Sequence, residues 1–340
     1  MHQPNAQMQA VLESYAEFHL PPPNEVPAQV ARQAPTLADA VGKLLTEQGK
    51  DPAMEAVGDV RELAIPGPAG DIKARAFLPT GHGPHPVIVY VHGGGWVIAS
   101  IETYESSARA LCNATGAIVV STHYRQAPEH PYPAAHDDVY AATRWVMDHA
   151  QELGGDPTRL AIVGESAGGN MATATCLRLR DEGLPLPVHQ GLVYPVVDAD
   201  FERPSYVEYA EAKPLSTPMM QWFWDQYAPD LATRQDPYAT PIHGRLEGLP
   251  PATIIAAEID PLQSEGAAYA ERHKAAGVPV AYRLFPGVTH EFFGMGAVVD
   301  DAQDALNVMA AALRQALGSR YAGRPPQSRS SALAVRAAAR

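Results

Sequence analysis

The chain has 340 residues, of which 46% are hydrophobic and 19% charged, a composition typical of a globular protein rather than a disordered one. Its formal net charge of −13 argues against nucleic-acid binding, which depends on clustered lysine and arginine side chains. The N-terminus lacks the basic and apolar segments of a secretion signal, and no run approaches the ~18 apolar residues of a membrane span. Cys112 and Cys176 lie in helix-like stretches and are more simply buried apolar side chains than disulfide partners. We therefore expect one enlarged domain that does not insert stably into membranes, in the reducing cytoplasm.

The first fifty residues predict helices rather than strands. Helical patterns cover Ala6–Phe18 and Thr36–Gln48, and the run Pro21-Pro22-Pro23 breaks the chain between them. We therefore interpret residues 1–50 as an appendage to the sheet that follows.

Beyond residue 50 the pattern predicts an α/β fold with a mostly parallel, doubly wound sheet. Val60–Ile65 and Ile72–Phe77 alternate around a glycine- and proline-rich turn, which is typical of an antiparallel hairpin. Later runs are short and continuously apolar, as in buried parallel strands, and helical patterns lie between most of them. The predicted strands are Val87–Val91, Ala117–Ser121, Leu160–Val163, Val188–Tyr194, Thr253–Ala257 and Val280–Phe285, and the helices are Asp137–Leu153, Ala167–Arg180, Pro261–Ala276 and Asp301–Leu317.

Two segments interrupt this alternation. Residues 200–235 are too rich in aromatic side chains for a solvated loop, which indicates part of a lid. Residues 319–340 carry five arginines, many small residues and no acidic residue, so we predict a disordered tail rather than a nucleic-acid arm. The aromatic residues of the first segment are Phe201, Tyr206, Tyr209, Trp222, Phe223, Trp224 and Tyr227.

The run Gly164-Glu165-Ser166-Ala167-Gly168 carries the strongest chemical signal. A Gly-x-Ser-x-Gly pattern arises by chance in about one chain in ten at ordinary residue frequencies, so the pattern alone is weak. Here it directly follows a predicted strand and begins a predicted helix, the context of a sharp turn that lifts a serine hydroxyl clear of a sheet. The alternative is a serine that only caps the helix. We predict that Ser166 is a nucleophile.

A nucleophilic serine needs an imidazole to take its proton and a carboxylate to orient that imidazole. Asp260 follows the predicted strand Thr253–Ala257, and His290 follows the last predicted strand, so both are expected at the carboxyl edge of the sheet. No other histidine lies on the loop after the last strand. Among the acids, the competitors of Asp260 are Asp198, Glu258 and Glu265.

The run His92-Gly93-Gly94-Gly95-Trp96 follows another predicted strand. Consecutive glycines let backbone N–H groups approach a substrate oxygen, and a sheet of this kind takes part of its oxyanion hole from this loop. We expect the donors to be Gly94, Gly95 and Ala167, with His92 bracing the loop. A phosphate-cradling loop is the rival interpretation, but no Lys-Ser or Lys-Thr pair follows the glycines.

Taken together, these motifs resemble the hormone-sensitive-lipase-like group of α/β-hydrolases, the bacterial family IV esterases, over residues 55–318. The resemblance implies a carboxylic ester hydrolase that acts on short- to medium-chain acyl esters through an acyl-enzyme, with Ser166, Asp260 and His290 as its triad and with no metal or cofactor. It also implies a catalytic domain at residues 51–199 and 236–318, a cap from residues 1–50 and 200–235, and a possible homodimer through the edge strand. We expect Trp96, Trp222 and Trp224 to line its substrate pocket. The motifs are the two runs above, Tyr124-Arg125-Gln126-Ala127-Pro128-Glu129-His130-Pro131-Tyr132-Pro133-Ala134-Ala135, Gly169-Asn170, Asp260-Pro261-Leu262 and the His290 segment.

Two alternatives remain open at this point. An amidase or a deacetylase of the same fold carries the same motifs. A small-molecule receptor like the plant gibberellin receptors shares the fold with a disabled triad, although His290 argues against that interpretation. The chain also departs from the family at Glu165, where aspartate is usual, and at Glu291, where glycine is common. Both departures place a charge beside a reacting group.

Overall fold

A mixed β-sheet forms the centre of the part of the chain that the computed structural model describes, residues 2–318. The predicted tail, 319–340, lies outside these residues. Eight strands are present in the described part: β1 (Asp59–Gly67), β2 (Gly70–Leu78), β3 (His85–Val91), β4 (Ile118–Thr122), β5 (Gly155–Glu165), β6 (Gln190–Val193), β7 (Ala252–Ile259) and β8 (Val280–Thr289). Their order across the sheet is β1-β2-β4-β3-β5-β6-β7-β8.

The strand pairing confirms the predicted fold class. Strands β1 and β2 form the expected hairpin with Ile65 opposite Ile72, and β2 pairs antiparallel with β4. Every other neighbouring pair is parallel. The carboxyl ends of β3 and of β5 to β8 therefore meet at one edge of the sheet, where ligands bind in folds of this kind.

The central strand β3 shows why these runs are continuously apolar. Val87, Val89 and Val91 belong to the core on one face, whereas Ile88 and Tyr90 belong to the core on the other. Successive side chains of a strand point to opposite faces, so a strand covered on both sides has no position for a polar residue.

Helices cover both faces of the sheet. Helices α4 and α10 contribute to one core, and α5 and α6 contribute to the other. The helices of the described residues are α1 (Ala6–Ala16), α2 (Ala28–Ala31), α3 (Leu37–Glu47), α4 (Glu105–Thr115), α5 (Ala134–His149), α6 (Ala167–Asp181), α7 (Pro204–Glu208), α8 (Thr217–Tyr227), α9 (Gln263–Ala275) and α10 (Asp300–Leu317). None of them is long and apolar enough to cross a bilayer.

Helix α4 is not among the four helices predicted beyond residue 50, and only the helix-like stretch around Cys112 indicates it. Its residues include two serines, an asparagine and a threonine, all of which lower helix propensity. The buried positions Ala108, Leu111, Cys112 and Thr115 nevertheless follow the spacing of one helical face. Packing of that face against the sheet outweighs the weak local preference.

The N-terminal segment, residues 2–50, and the inserted segment, residues 200–235 (the insertion), both contain regular helices. Helices α1 and α3 confirm the two predicted N-terminal helices, and Thr36 and Asp39 form a capping box at the start of α3. The Asn5 N–H donates to Gly287 O of β8 at 2.8 Å, which ties the N-terminal segment to the edge of the sheet. Residues 200–235 contain α7 and α8 instead of a plain loop. Cys112 and Cys176 are buried free thiols, as expected.

Candidate active site

The turn between β5 and α6 holds Ser166 in a backbone conformation that non-glycine residues rarely adopt. Its φ is +57° and its ψ is −119°. A Cβ at Gly164 would lie 2.1 Å from Gly168 O, and a Cβ at Gly168 would lie 2.0 Å from Val91 O. Only glycine fits at both positions, which is why the motif has this spacing. Ser166 occupies the N-cap position of α6, but its side chain makes no capping hydrogen bond.

The serine hydroxyl instead meets His290. Ser166 Oγ lies 2.9 Å from His290 Nε2, and His290 Nδ1 lies 2.7 Å from Asp260 Oδ2. The two loops after β7 and β8 bring Asp260 and His290 to the same edge as Ser166, and all three residues are buried. Asp260 Oδ1 also accepts the Leu262 N–H at 2.9 Å, which fixes the carboxylate.

The three competing acids have other partners. Asp198 pairs with Arg203, and Glu258 accepts the Gly287 N–H at 2.8 Å. Glu265 accepts the Val197 N–H at 2.6 Å. The structure therefore joins only Asp260, among the four candidate carboxylates, to His290.

The charges around His290 favour its protonated form. Burial lowers the pKa of His290, but the charge and hydrogen bond of Asp260 together with the charges of Glu291 and Glu165 outweigh that effect, so the pKa is raised above the ordinary value of about 6.5. An imidazole that binds a proton more strongly is a stronger general base once it is deprotonated.

In the glycine loop after β3, hydrogen bonds to the carbonyl oxygens fix the orientation of the peptide groups. Gly93 O accepts the Tyr124 hydroxyl at 2.8 Å and lies 2.8 Å from His92 Nδ1. Gly94 O accepts two backbone N–H groups of its own turn, at 3.0 and 2.9 Å. In a trans peptide the N–H points opposite to the C=O, so these contacts direct the N–H groups of Gly94 and Gly95 away from the loop's supports. Within residues 2–318 neither N–H has a hydrogen-bond acceptor.

The third expected donor is held in the same way. Ser166 O accepts the N–H groups of Asn170 at 3.1 Å and of Val196 at 3.2 Å. This fixes the peptide that carries the Ala167 N–H, the first N–H of α6, which has no partner within the helix because of its position. The helix dipole adds a partial positive charge at the same place.

A cavity of about 1000 Å³ opens in front of Ser166 and His290. Gly94 and Gly95 form part of its wall. Most of the remaining wall comes from the N-terminal segment and from the insertion, which are distant in sequence from the motifs. Its apolar side chains include Leu12, Tyr15 and Val30 from the first segment and Met219, Met220 and Phe223 from the second.

The structure places the three tryptophans differently from the expectation. Trp96 and Trp224 are fully buried in the core, where Trp96 stacks on Tyr227 at 3.9 Å, and Trp222 packs beside this core. None of the three lines the cavity. On helix α8 the cavity face is the one that carries Met219, Met220 and Phe223, and the Phe223 ring covers Gly95 so closely that a Cβ there would lie 2.3 Å from it.

Two tyrosines hold Glu165, the acid beside Ser166, and sequence reasoning missed them. Glu165 is buried and accepts the hydroxyls of Tyr90 and Tyr194, while burial raises its pKa. The Tyr194 ring lies 4.5 Å from the His290 ring. Tyr194 directly follows β6, so its position at the catalytic edge was the available signal.

Comparison with known proteins gives one consistent result. A sequence profile of the alpha/beta hydrolase fold matches residues 88–294. The carboxylesterase NlhH of Mycobacterium tuberculosis is 44% identical over 252 residues, 73% of this chain and 79% of that protein. An ethyl acetate hydrolase of Pseudomonas putida is 38% identical over 232 residues, 68% of this chain and 73% of that protein. The solved structure of a hyperthermophilic esterase from Pyrobaculum calidifontis matches with a TM-score of 0.83 at 34% identity, over 93% of this chain and 99% of that one.

The chain therefore belongs to the α/β-hydrolase family. Within that family it is a serine carboxylesterase, and the resemblance to the hormone-sensitive-lipase-like esterases is confirmed.

The charges around His290 lead to a prediction about the pH dependence of ester hydrolysis. Neutralising Glu291 in Glu291→Gln removes a negative charge that raises the pKa of His290. If His290 is the general base, activity depends on its neutral form, so the rising limb of kcat/KM against pH should move to lower pH by roughly half a unit. The measurement is a pH profile of ester hydrolysis, with Glu152→Gln, an exposed glutamate before β5, as the control. A rising limb that stays in place or moves to higher pH would contradict this electrostatic account.

Proposed function

We propose that Ser166, His290 and Asp260 form the catalytic triad of this carboxylesterase, and that it hydrolyses short- to medium-chain acyl esters through an acyl-enzyme. One observation carries the proposal: a continuous chain of hydrogen bonds runs from Asp260 through His290 to Ser166 Oγ, beside a large cavity. The free thiols Cys112 and Cys176 are buried and do not line the cavity, whereas Ser166 does.

In the acylation step, Ser166 Oγ attacks the ester carbonyl carbon while its proton passes to His290 Nε2. Asp260 holds Nδ1–H and stabilises the imidazolium that forms. The tetrahedral intermediate then expels the alcohol, which takes the proton from Nε2. The acyl group remains on Ser166 Oγ.

Deacylation repeats this sequence with water in place of the serine. His290 takes a proton from a water molecule as the water oxygen attacks the acyl carbon, and it returns that proton to Ser166 Oγ when the carboxylic acid leaves. The base is regenerated, and no metal or cofactor takes part in either step.

The developing oxyanion is stabilised in both steps by the N–H groups of Gly94, Gly95 and Ala167. Their peptides are held by carbonyl contacts on the opposite side, so the donors need not reorganise when the negative charge appears. One donor of this kind is typically worth ~3–4 kcal/mol in the transition state.

The acyl and alcohol groups are proposed to lie under a cap formed by residues 1–50 and 200–235. Both segments supply apolar side chains to the cavity wall, and Arg32 ties the first of them to the glycine loop through Val97 O at 2.7 Å. The P. putida relative is an ethyl acetate hydrolase by name, which supports a short acyl group here as well.

The homodimer and the cytoplasmic location stay predictions. The buried free thiols are suited to a reducing compartment, and β8 is an edge strand of the sheet in the described residues. Light scattering coupled to size exclusion measures the oligomeric state directly.

The proposed role of Ser166 leads to a prediction about turnover. Ser166→Ala should lower kcat for p-nitrophenyl butyrate by about 10⁴-fold or more, because the nucleophile is removed while the fold remains. The control is Ser14→Ala, since Ser14 and Ser166 are both 4% exposed but Ser14 lies on α1, where its hydroxyl donates to Ala40 O of α3. Thermal denaturation shows whether each variant folds. Turnover of Ser166→Ala at the wild-type rate would reject the proposed triad.

The proposed chain-length range leads to a second prediction. In a series of p-nitrophenyl esters, kcat/KM should be highest between acetate and octanoate and should fall at palmitate, because the resemblance to the family IV esterases and the ethyl acetate hydrolase relative both favour a short acyl group. A maximum at palmitate would show that the proposed chain-length range is wrong. The same series with p-nitroanilides separates an esterase from an amidase.

A further inference from the structure

Two histidines lie side by side behind the glycine loop. Strands β3 and β4 are parallel with Val91 opposite Thr122, so the next residue of each strand, His92 and His123, also fall next to each other. His92 Nε2 lies 2.9 Å from His123 Nδ1, and the two rings are within 17° of coplanar. His92 is fully buried and His123 is half-buried.

The partners of these rings determine where each proton lies. Gly93 O can only accept a hydrogen bond, so His92 Nδ1, 2.8 Å away, must carry a proton. Burial lowers the pKa of His92 to about 3 and lowers the pKa of His123 as well, so both rings are neutral near neutral pH. His92 Nε2 therefore has only a lone pair, and His123 Nδ1 donates its proton to it.

The hydrogen bonds that run from His123 through His92 end at the Gly93–Gly94 peptide, whose N–H is a proposed oxyanion donor. The Gly93 carbonyl belongs to the same peptide plane as the Gly94 N–H. His92 Nδ1–H and the Tyr124 hydroxyl both donate to Gly93 O, at 2.8 Å each, and hold that plane from behind. Without a donor on Nε2, neutral His92 can move its proton there. Its Nδ1 lone pair would then face the Gly93 carbonyl and repel it, which lets the plane rotate.

We propose that His123 is a positioning residue for the oxyanion hole: by donating to His92 Nε2 it fixes the tautomer of His92, which holds the Gly93–Gly94 peptide with the Gly94 N–H facing the reacting carbonyl. The role rests on the proposed function, because it has a catalytic effect only if Gly94 is an oxyanion donor. His123 itself contacts no substrate and lies outside the cavity wall.

Variants at position 123 distinguish the loss of the hydrogen bond to His92 from the loss of side-chain volume. His123→Ala removes the donor. His123→Asn keeps an N–H group at the δ position, where it can still donate to His92 Nε2. The control is His189→Leu, since His189 is a buried histidine that likewise makes a side-chain hydrogen bond, to Thr253 Oγ1 at 3.0 Å, but it directly precedes β6, outside the glycine loop and the cavity wall.

Three quantities are measured for each variant: kcat and KM for p-nitrophenyl butyrate, and Ki for a trifluoromethyl ketone. Ser166 Oγ adds to the ketone carbon, its proton passes to His290, and the ketone oxygen becomes an oxyanion, so Ki reports on the oxyanion hole. His123→Ala should lower kcat by ~10-fold, less than the ~10²–10³ lost when a donor is removed outright, with a matching rise in Ki. KM should stay within about 2-fold, and His123→Asn should recover kcat to within about 3-fold of wild type. His189→Leu should keep the wild-type kcat and Ki.

Each alternative outcome has a definite meaning. Wild-type kcat and Ki in His123→Ala, or an asparagine variant as impaired as the alanine variant, would overturn the proposal. If His123→Ala does not fold, Tyr124→Phe decides, because it removes the other donor to Gly93 O: a fall in kcat at constant KM supports the role of this peptide, and an unchanged kcat contradicts it. A wild-type protein that hydrolyses no ester would instead contradict the proposed function.

Discussion

The strained turn at Ser166 is the constraint on which the rest of the site depends. A residue with φ of +57° at the junction of β5 and α6 needs glycine on both sides, because the backbone atoms of Gly168 and of Val91 occupy the space of any side chain. Strain of this kind persists only where the surrounding structure enforces it. The parallel sheet does so here, since β3 and β6 flank β5 and the Ser166 N–H donates to Val193 O at 2.9 Å. The hydroxyl is thereby raised to the level of the loops after β7 and β8.

Electrostatics at this edge are dominated by carboxylates that lie close to one imidazole. Asp260 bonds directly to His290, and Glu291 and Glu165 act on it through space. Glu291 accepts the Tyr104 hydroxyl at 3.0 Å, and Glu165 accepts two tyrosine hydroxyls, so among residues 2–318 the partners of both acids are phenols and not cations. An arginine or lysine in place of these tyrosines would offset the negative charge of the acids and would oppose protonation of His290. Because phenols are neutral, the negative charges of Glu165 and Glu291 still act on His290.

Much of this arrangement could be predicted from sequence, for physical reasons. Continuously apolar runs such as Val87–Val91 identify strands covered on both faces, and the carboxyl ends of parallel strands meet at one edge, so Ser166, Asp260 and His290 could be brought together from their positions after strands. Other features depend on packing that a single segment does not encode. The orientation of α8 decides that Phe223 faces the cavity and Trp224 the core, which is why Trp222 and Trp224 do not line the cavity as expected. The His92–His123 pair required the register of β3 and β4, which follows only from the assembled sheet.

The central claim is that the hydroxyl of Ser166, activated by His290, attacks the carbonyl of an ester. The most direct measurement is mass-spectrometric mapping of the protein after reaction with an alkyl fluorophosphonate, which is transferred to an activated serine with loss of fluoride. We expect one phosphonyl group per chain, on the peptide that contains Ser166, and a much slower reaction in His290→Gln. Protein that remains unlabelled, or that carries the group on another residue, would contradict it.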